Sequence, residues 1–233
     1  MSVSVCIATY NGAEFIGRQL KSILLQLGEE DEVIISDDNS TDNTWQIIEG
    51  IGDSRVRIIL NKGRKGPISN FENALKFATR DIIFLSDQDD EWLSNKVGDS
   101  VNILKEFDLV LSDCRIVNKD GYVVHESFFH IRNSQPGFWH NVYRNSYNGC
   151  CMAFRREVLD YVLPLPHSIH MHDWWIGLLV EVKGKVCFYP KPLINYTRHG
   201  GNLSPTSETG YGLSDRILNR ITLLINISIR LLS

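Results

Sequence analysis

The chain lacks a basic excess: 24 lysines and arginines face 28 aspartates and glutamates, a net charge of -4 over 233 residues. That balance argues against a nucleic-acid partner, since phosphate binding draws on surplus cations. No run of about 20 apolar residues occurs, so no membrane-spanning helix is expected. Cysteine is sparse and odd in number, at positions 6, 114, 150, 151 and 187, and no two have C-x-x-C spacing. A zinc cluster and a disulfide framework are therefore not expected, and buried thiols in a reducing cytosol fit better. Neither G-x-G-x-x-G nor a Walker A sequence is present, which removes the dinucleotide and P-loop readings. No basic segment precedes the first apolar run, Val3–Ala8, so no secretory leader is expected.

What is present is an ordinary globular composition, 43% hydrophobic and 22% charged, which excludes disorder and leaves room for one large α/β domain. Strand-like runs at 3–8, 32–36, 56–60 and 82–86 alternate with helical patterns at 14–27, 41–51 and 69–79. Such alternation predicts βαβ units and a mostly parallel sheet. Further on, a helix is expected at 93–107, strands at 109–112, 149–154 and 186–189, and a helix at 173–182. Asp120-Gly121 between 115–119 and 122–125 signals a hairpin. The last segment, 215–232, is a basic amphipathic helix. Ile217, Leu218, Ile221, Leu224, Ile225, Ile229 and Leu232 share one face. Arg216, Asn219, Arg220, Asn226 and Arg230 share the other, with Leu223 and Ile227 intruding. Its two expected roles are lying in a membrane interface and packing on protein.

Three motifs carry chemistry. Asp87-Gln88-Asp89-Asp90-Glu91 follows directly on an apolar strand. Ligands of open α/β sheets bind at the carboxyl ends of strands. Crowded carboxylates there repel unless a cation neutralises them, and oxygen donors suit Mg²⁺ or Mn²⁺. Asp37-Asp38-Asn39-Ser40-Thr41 follows the second strand, and its carboxylates can accept hydrogen bonds from a base or a ribose. Thr9-Tyr10-Asn11-Gly12 leaves the first strand and offers a hydroxyl, a ring and an amide.

In this order and spacing the three blocks resemble the inverting family 2 glycosyltransferases. The resemblance implies a GT-A fold and transfer of one sugar from a nucleoside diphosphate, dTDP-rhamnose or a UDP-hexose, to a hydroxyl of a glycan or lipid-linked glycan. It implies one domain over 1–210, with a nucleotide-sugar half (1–110) and an acceptor half (111–210), before a helix at 211–233. Thr9, Tyr10, Asn11, Asp37 and Asp38 would then meet the nucleoside. Asp87 and Asp89 would form the D-x-D that holds Mn²⁺ or Mg²⁺. His172-Asp173-Trp174-Trp175 matches the position of the catalytic base, which assigns that role to Asp173. The segment from Tyr196 to Asn202 resembles one in bacterial rhamnosyltransferases, bringing Arg198 to the diphosphate and His199 to the metal. The expected setting is cytoplasmic, peripheral on the inner face of the membrane. Two alternatives share the architecture: a sugar-phosphate nucleotidyltransferase and a non-catalytic nucleotide-sugar-binding protein. The nucleotidyltransferase calls for a Gly-rich basic loop after the first strand, where Asn11-Gly12-Ala13-Glu14 stands instead.

Overall fold

A computed structural model describes residues 1–199 and 212–232; the expected boundary at 210 and the motif residues Gly200, Gly201 and Asn202 lie outside them. The first half follows the alternation of the sequence: β1 (Val3–Thr9), α1 (Ile16–Leu24), β2 (Glu32–Asp37), α2 (Thr44–Ile51), β3 (Val56–Leu60), α3 (Pro67–Phe77) and β4 (Ile82–Asp87). β1 pairs in parallel with β2 on one side and β4 on the other, placing Thr9 beside Asp37 and Ala8 beside Asp87. These strands are apolar on both faces because helices cover both. Val5, Ile7, Ile34, Ile35, Ile83 and Leu85 are all fully buried.

Two helices start three residues later than the sequence predicts. α2 begins at Thr44 rather than 41 because Asp42 folds back on it, accepting from Thr44 N (3.0 Å) and Oγ1 (2.5 Å). The helix expected over 93–107 is the shorter α4 (Lys96–Ile103), preceded by the unexpected strand β5 (Glu91–Trp92).

The second half adds β6 (Leu109–Asn118), β7 (Val123–His125), α5 (Phe128–Arg132), α6 (Phe138–Tyr143), β8 (Met152–Arg155), α7 (Leu159–Val162), α8 (His172–Lys183) and β9 (Val186–Arg198). The sheet runs β3-β2-β1-β4-β8-β6-β9-β5, with β7 on β6 across the Asp120-Gly121 turn. Gly121 takes φ +85° there, which glycine tolerates without steric cost. A short 3-10 turn, Gly149–Cys151, replaces the first half of the strand expected at 149–154. β9 runs nine residues beyond the expected end at Tyr189. Pro190 and Pro192 suggest an end there, yet the register shift between Ser112 and Asp113 of β6 absorbs them as a bulge. That extension carries Arg198 and His199 back to the end of β4.

The last helix, α9 (Leu213–Leu232), docks with the face opposite to the one its apolar residues define. Leu223 and Ile227, the two intruders on the polar face, are 2% and 3% exposed, whereas Ile217, Ile221, Ile225 and Ile229 are 49–61% exposed. Arginines explain the inversion. Arg220 donates to Val142 O and Tyr143 O at 3.0 and 2.5 Å. Arg230 donates to Tyr161 O, Leu163 O and Pro164 O at 2.8, 3.0 and 2.6 Å. Their guanidinium carbons stand 5.7 and 5.2 Å from the rings of Trp174 and Trp175. Charge-assisted bonds to carbonyls and contacts to aromatic faces hold the polar side inward.

Candidate active site

The ends of β1, β2 and β4 meet where strand order reverses around β1, the crevice in which open α/β sheets bind ligands. Gln88, the middle residue of the D-x-D, ties two of these ends together. Its Oε1 accepts from Thr9 Oγ1 (2.7 Å) and Tyr10 N (2.9 Å), and its Nε2 donates to Tyr10 O (3.2 Å). Asn70 of α3 adds a bond from Nδ2 to Thr9 O at 3.1 Å. Asn11 takes φ +49°, its Oδ1 accepts from Thr41 N and its own N–H donates to Ser40 Oγ, so the β1 and β2 exits form one interlocked loop. The Tyr10 ring stays half exposed above this loop, with Lys65 Nζ 5.9 Å from its centroid.

The two aspartates after β2 have different surroundings. Asp37 is fully buried and bonded to Ser40 N and Oγ (2.8 and 2.5 Å), which shapes the turn. Asp38 accepts from Asn61 Nδ2 (2.9 Å) and Gly66 N (2.6 Å). It thereby fastens the exposed loop carrying Lys62, Arg64 and Lys65 beside the crevice. The sequence holds no sign of this fastening, because Asp38 and Gly66 are far apart along the chain.

On the β4 side, Asp89 and His199 come together as the resemblance implies: Nε2 and Oδ2 are 2.8 Å apart. Phe15, at the start of α1, stacks on the His199 ring at 4.6 Å and 19°. No pattern in the sequence identifies Phe15. Asp90 is fully buried and its Oδ1 accepts from Thr197 N at 3.0 Å, pinning β9 to the β4 exit. Asp87, the last residue of β4, is partly buried in the crevice. Burial, and then repulsion from Asp89 and Asp173, push its carboxyl up to about 8. Arg198 is exposed at the end of β9.

Asp173 sits in the first turn of α8 and is 2% exposed. Its Oδ1 accepts from Trp174 N (2.7 Å) and its Oδ2 from Gly149 N (3.0 Å). Burial raises the carboxyl to about 6 against the lowering effect of these backbone donors. Such a value suits a group that must release and accept protons near neutrality. The adjoining His172 is buried against Phe71, centroids 4.2 Å apart, and burial pushes it down to about 3, so it is neutral. Gly149 is required by this packing, since a Cβ there would stand 2.9 Å from His172 Nε2. The structure thus gathers Thr9, Tyr10, Asn11, Asp37 and Asp38 at one end of a crevice and the Asp89–His199 pair at the β4 exit, with Asp87 close enough to Asp89 and Asp173 to be repelled by both.

The sequence pattern of glycosyl transferase family 2 matches residues 4–163. The chain belongs to that family. Over 103 residues it is 39% identical to UDP-Glc:alpha-D-GlcNAc-diphosphoundecaprenol beta-1,3-glucosyltransferase WfaP of Escherichia coli, covering 44% of this chain and 41% of WfaP. Over 215 residues it is 29% identical to dTDP-rhamnosyl transferase RfbG of Shigella flexneri, covering 84% of this chain and 72% of RfbG. Among solved structures it resembles S. aureus TarS 1-349 in complex with UDP-GlcNAc, with a TM-score of 0.75 and 22% identity. That likeness covers all of this chain and 67% of the other, and it establishes the GT-A fold.

Family membership gives the carboxylate crevice a context, and the donor set can be tested for a divalent cation. Two carboxylates and one imidazole nitrogen are compatible with Mn²⁺ or Mg²⁺, oxygen being the preferred donor of both. Asp89 and His199 already converge on one point. Asp87, partly buried and repelled by its acidic neighbours, is of the type that a cation stabilises in the ionised form. The residues present fit the ion.

Proposed function

We propose that the protein is a divalent-cation-dependent, inverting glycosyltransferase that moves a single sugar from a dTDP- or UDP-linked donor to an acceptor hydroxyl. The convergence of the Asp89–His199 pair with the buried Asp173 across one crevice carries this reading. Thr9, Tyr10, Asn11 and Asp38 take the nucleoside, with the half-exposed Tyr10 ring against the base and Asp37 holding the turn. Asp87, Asp89 and His199 hold Mn²⁺ or Mg²⁺, and Arg198 adds positive charge toward the diphosphate. When bound, the cation neutralises the leaving diphosphate as a Lewis acid. Asp173 accepts the proton of the acceptor hydroxyl on the opposite side of the anomeric carbon, so configuration inverts. The interlocked β1 and β2 exits orient the donor, and the buried Trp174 and Trp175 keep water from the base.

A lipid-linked glycan acceptor is supported by the likeness to WfaP, a glucosyltransferase named for a diphosphoundecaprenol substrate. Peripheral attachment to a membrane surface is part of the same reading, in a form altered from the sequence expectation. Among the described residues no helix is long and apolar enough to cross a membrane. Arg220 and Arg230 face the protein, so the outward side of α9 offers aliphatic rather than basic contact. Trp139 and Tyr143 on the adjoining α6 are 74% and 79% exposed, and aromatic side chains of this kind favour the headgroup level.

Calorimetry against a panel of nucleotide sugars with Mn²⁺ tests the reading. A pyrimidine diphosphate donor should bind more tightly than its GDP or ADP counterpart, and Asp89→Ala should abolish the cation-dependent part without unfolding the chain. Equal binding of purine donors would refute the nucleoside assignment, and unchanged affinity in Asp89→Ala would refute the cation site. Binding without turnover would leave a nucleotide-sugar-binding protein.

A further inference from the structure

Behind the Asp89–His199 pair lies a second group of donor atoms. Asp87, Asp90 and Cys150 each contribute one, and the three atoms lie within 4.8 Å of one another. They come from two elements, the exit of β4 and the 3-10 turn at Gly149–Cys151, so no sequence spacing reveals the group. Asp90 and Cys150 are fully buried. Asp90 spends Oδ1 on Thr197 N, and its buried Oδ2 has no stronger donor than the neighbouring Cys150 thiol. A carboxylate oxygen left in that state is costly and calls for a counter-group. Asp87, only partly buried, gives a route in from the crevice.

Sulfur changes the chemistry of the group. Mg²⁺ and Mn²⁺ prefer oxygen throughout, whereas a thiolate beside carboxylates selects a softer ion. We propose that Asp87, Asp90 and Cys150 form a second cation site, for a thiophilic divalent ion such as Zn²⁺ or Cd²⁺, separate from Asp89 and His199 but sharing Asp87 with the D-x-D. The spacing is within reach of ligands that stand about 2.0–2.3 Å from a tetrahedral zinc. Binding releases the thiol proton, and any carboxyl proton, to solvent. The buried Lys96 interacts electrostatically with Asp90 and Cys150 and lies over the rings of Phe84 and Trp92. Because Asp87 is shared, an ion held here withdraws a carboxylate from the donor site and inhibits the reaction supported by Mn²⁺.

The test adds Cd²⁺ to the metal-free full chain and follows the ultraviolet thiolate-to-cadmium charge-transfer absorption. A saturable band is expected in the wild type and in Cys187→Ser, whose thiol is remote from the group. Cys150→Ser and Cys150→Ala should lose the band, and Asp90→Asn should weaken binding by roughly 10–100-fold. No saturable band in the wild type, or a full band in folded Cys150→Ser, overturns the proposal. Zn²⁺ should suppress donor hydrolysis in the presence of Mn²⁺ in the wild type and much less in Cys150→Ser; equal suppression in both counts against it. The absorption needs no donor, so this site and the transferase reading stand or fall separately.

Discussion

Asp173 shows how one residue can serve stability and chemistry in opposite senses. Burial favours its protonated form, while Trp174 N and Gly149 N favour the carboxylate, and the balance leaves it at about 6. As a base it works only when ionised, so turnover should rise with pH through about 6. Stability should move the other way. The folded state holds this proton more tightly than the unfolded chain, so stability associated with Asp173 is present at low pH and is lost as pH rises through about 6. Asp173→Asn removes the titration. Turnover in the variant should fall by roughly 10²–10⁴-fold with donor binding retained. The melting temperature of the wild type should gain on that of Asp173→Asn as pH is lowered from 7 toward 5. A variant that transfers sugar at near wild-type rate would reduce Asp173 to a helix-capping role. At this scale the sequence was legible where chemistry is contiguous: Asp87 and Asp89 stand two apart at a strand end, and Asp173 begins a helix. It was not legible for Gln88, Phe15 or Asp90, whose partners Thr9, His199 and Thr197 are remote along the chain.

Among the elements, α9 was the hardest to read. Its apolar wheel was correct as a pattern, but a wheel ranks faces by hydrophobicity and does not record what the arginines can reach. Five bonds from Arg220 and Arg230 to carbonyls of the body, with Leu223 and Ile227 buried between them, decide the docked face. Two variants separate the faces. Arg230→Ala should destabilise the chain by about 1–3 kcal/mol, since it leaves buried or partly buried carbonyls unpaired, while vesicle binding stays unchanged. The double variant Ile221→Asn with Ile225→Asn should lower vesicle binding and leave the melting temperature almost unmoved. The reverse pattern would show that the outward face is not the lipid face. β9 teaches a related lesson. Its two prolines read as an end because proline cannot donate to a ladder, yet a bulge accommodates them and the strand goes on to deliver His199.

For the whole molecule, parallel pairing of β1 with β2 and β4 turns three separated sequence motifs into one crevice. That half of the fold was legible because each strand is an apolar run ending in polar ligand residues. The acceptor half was less so, since its short helices and mixed sheet depend on contacts such as Glu181 with Gly137, Asn141 and Tyr147 that no local pattern encodes. The central claim is that this crevice breaks a sugar–diphosphate bond with a cation on one side and a base on the other. Time-resolved proton NMR of donor hydrolysis tests it without a known acceptor, water taking the place of the acceptor hydroxyl. With Mn²⁺, the first free sugar formed should have the inverted anomeric configuration, and its formation should cease with chelation and in Asp89→Ala. Release of the sugar with retained configuration, or at the same rate without the cation, would contradict the account.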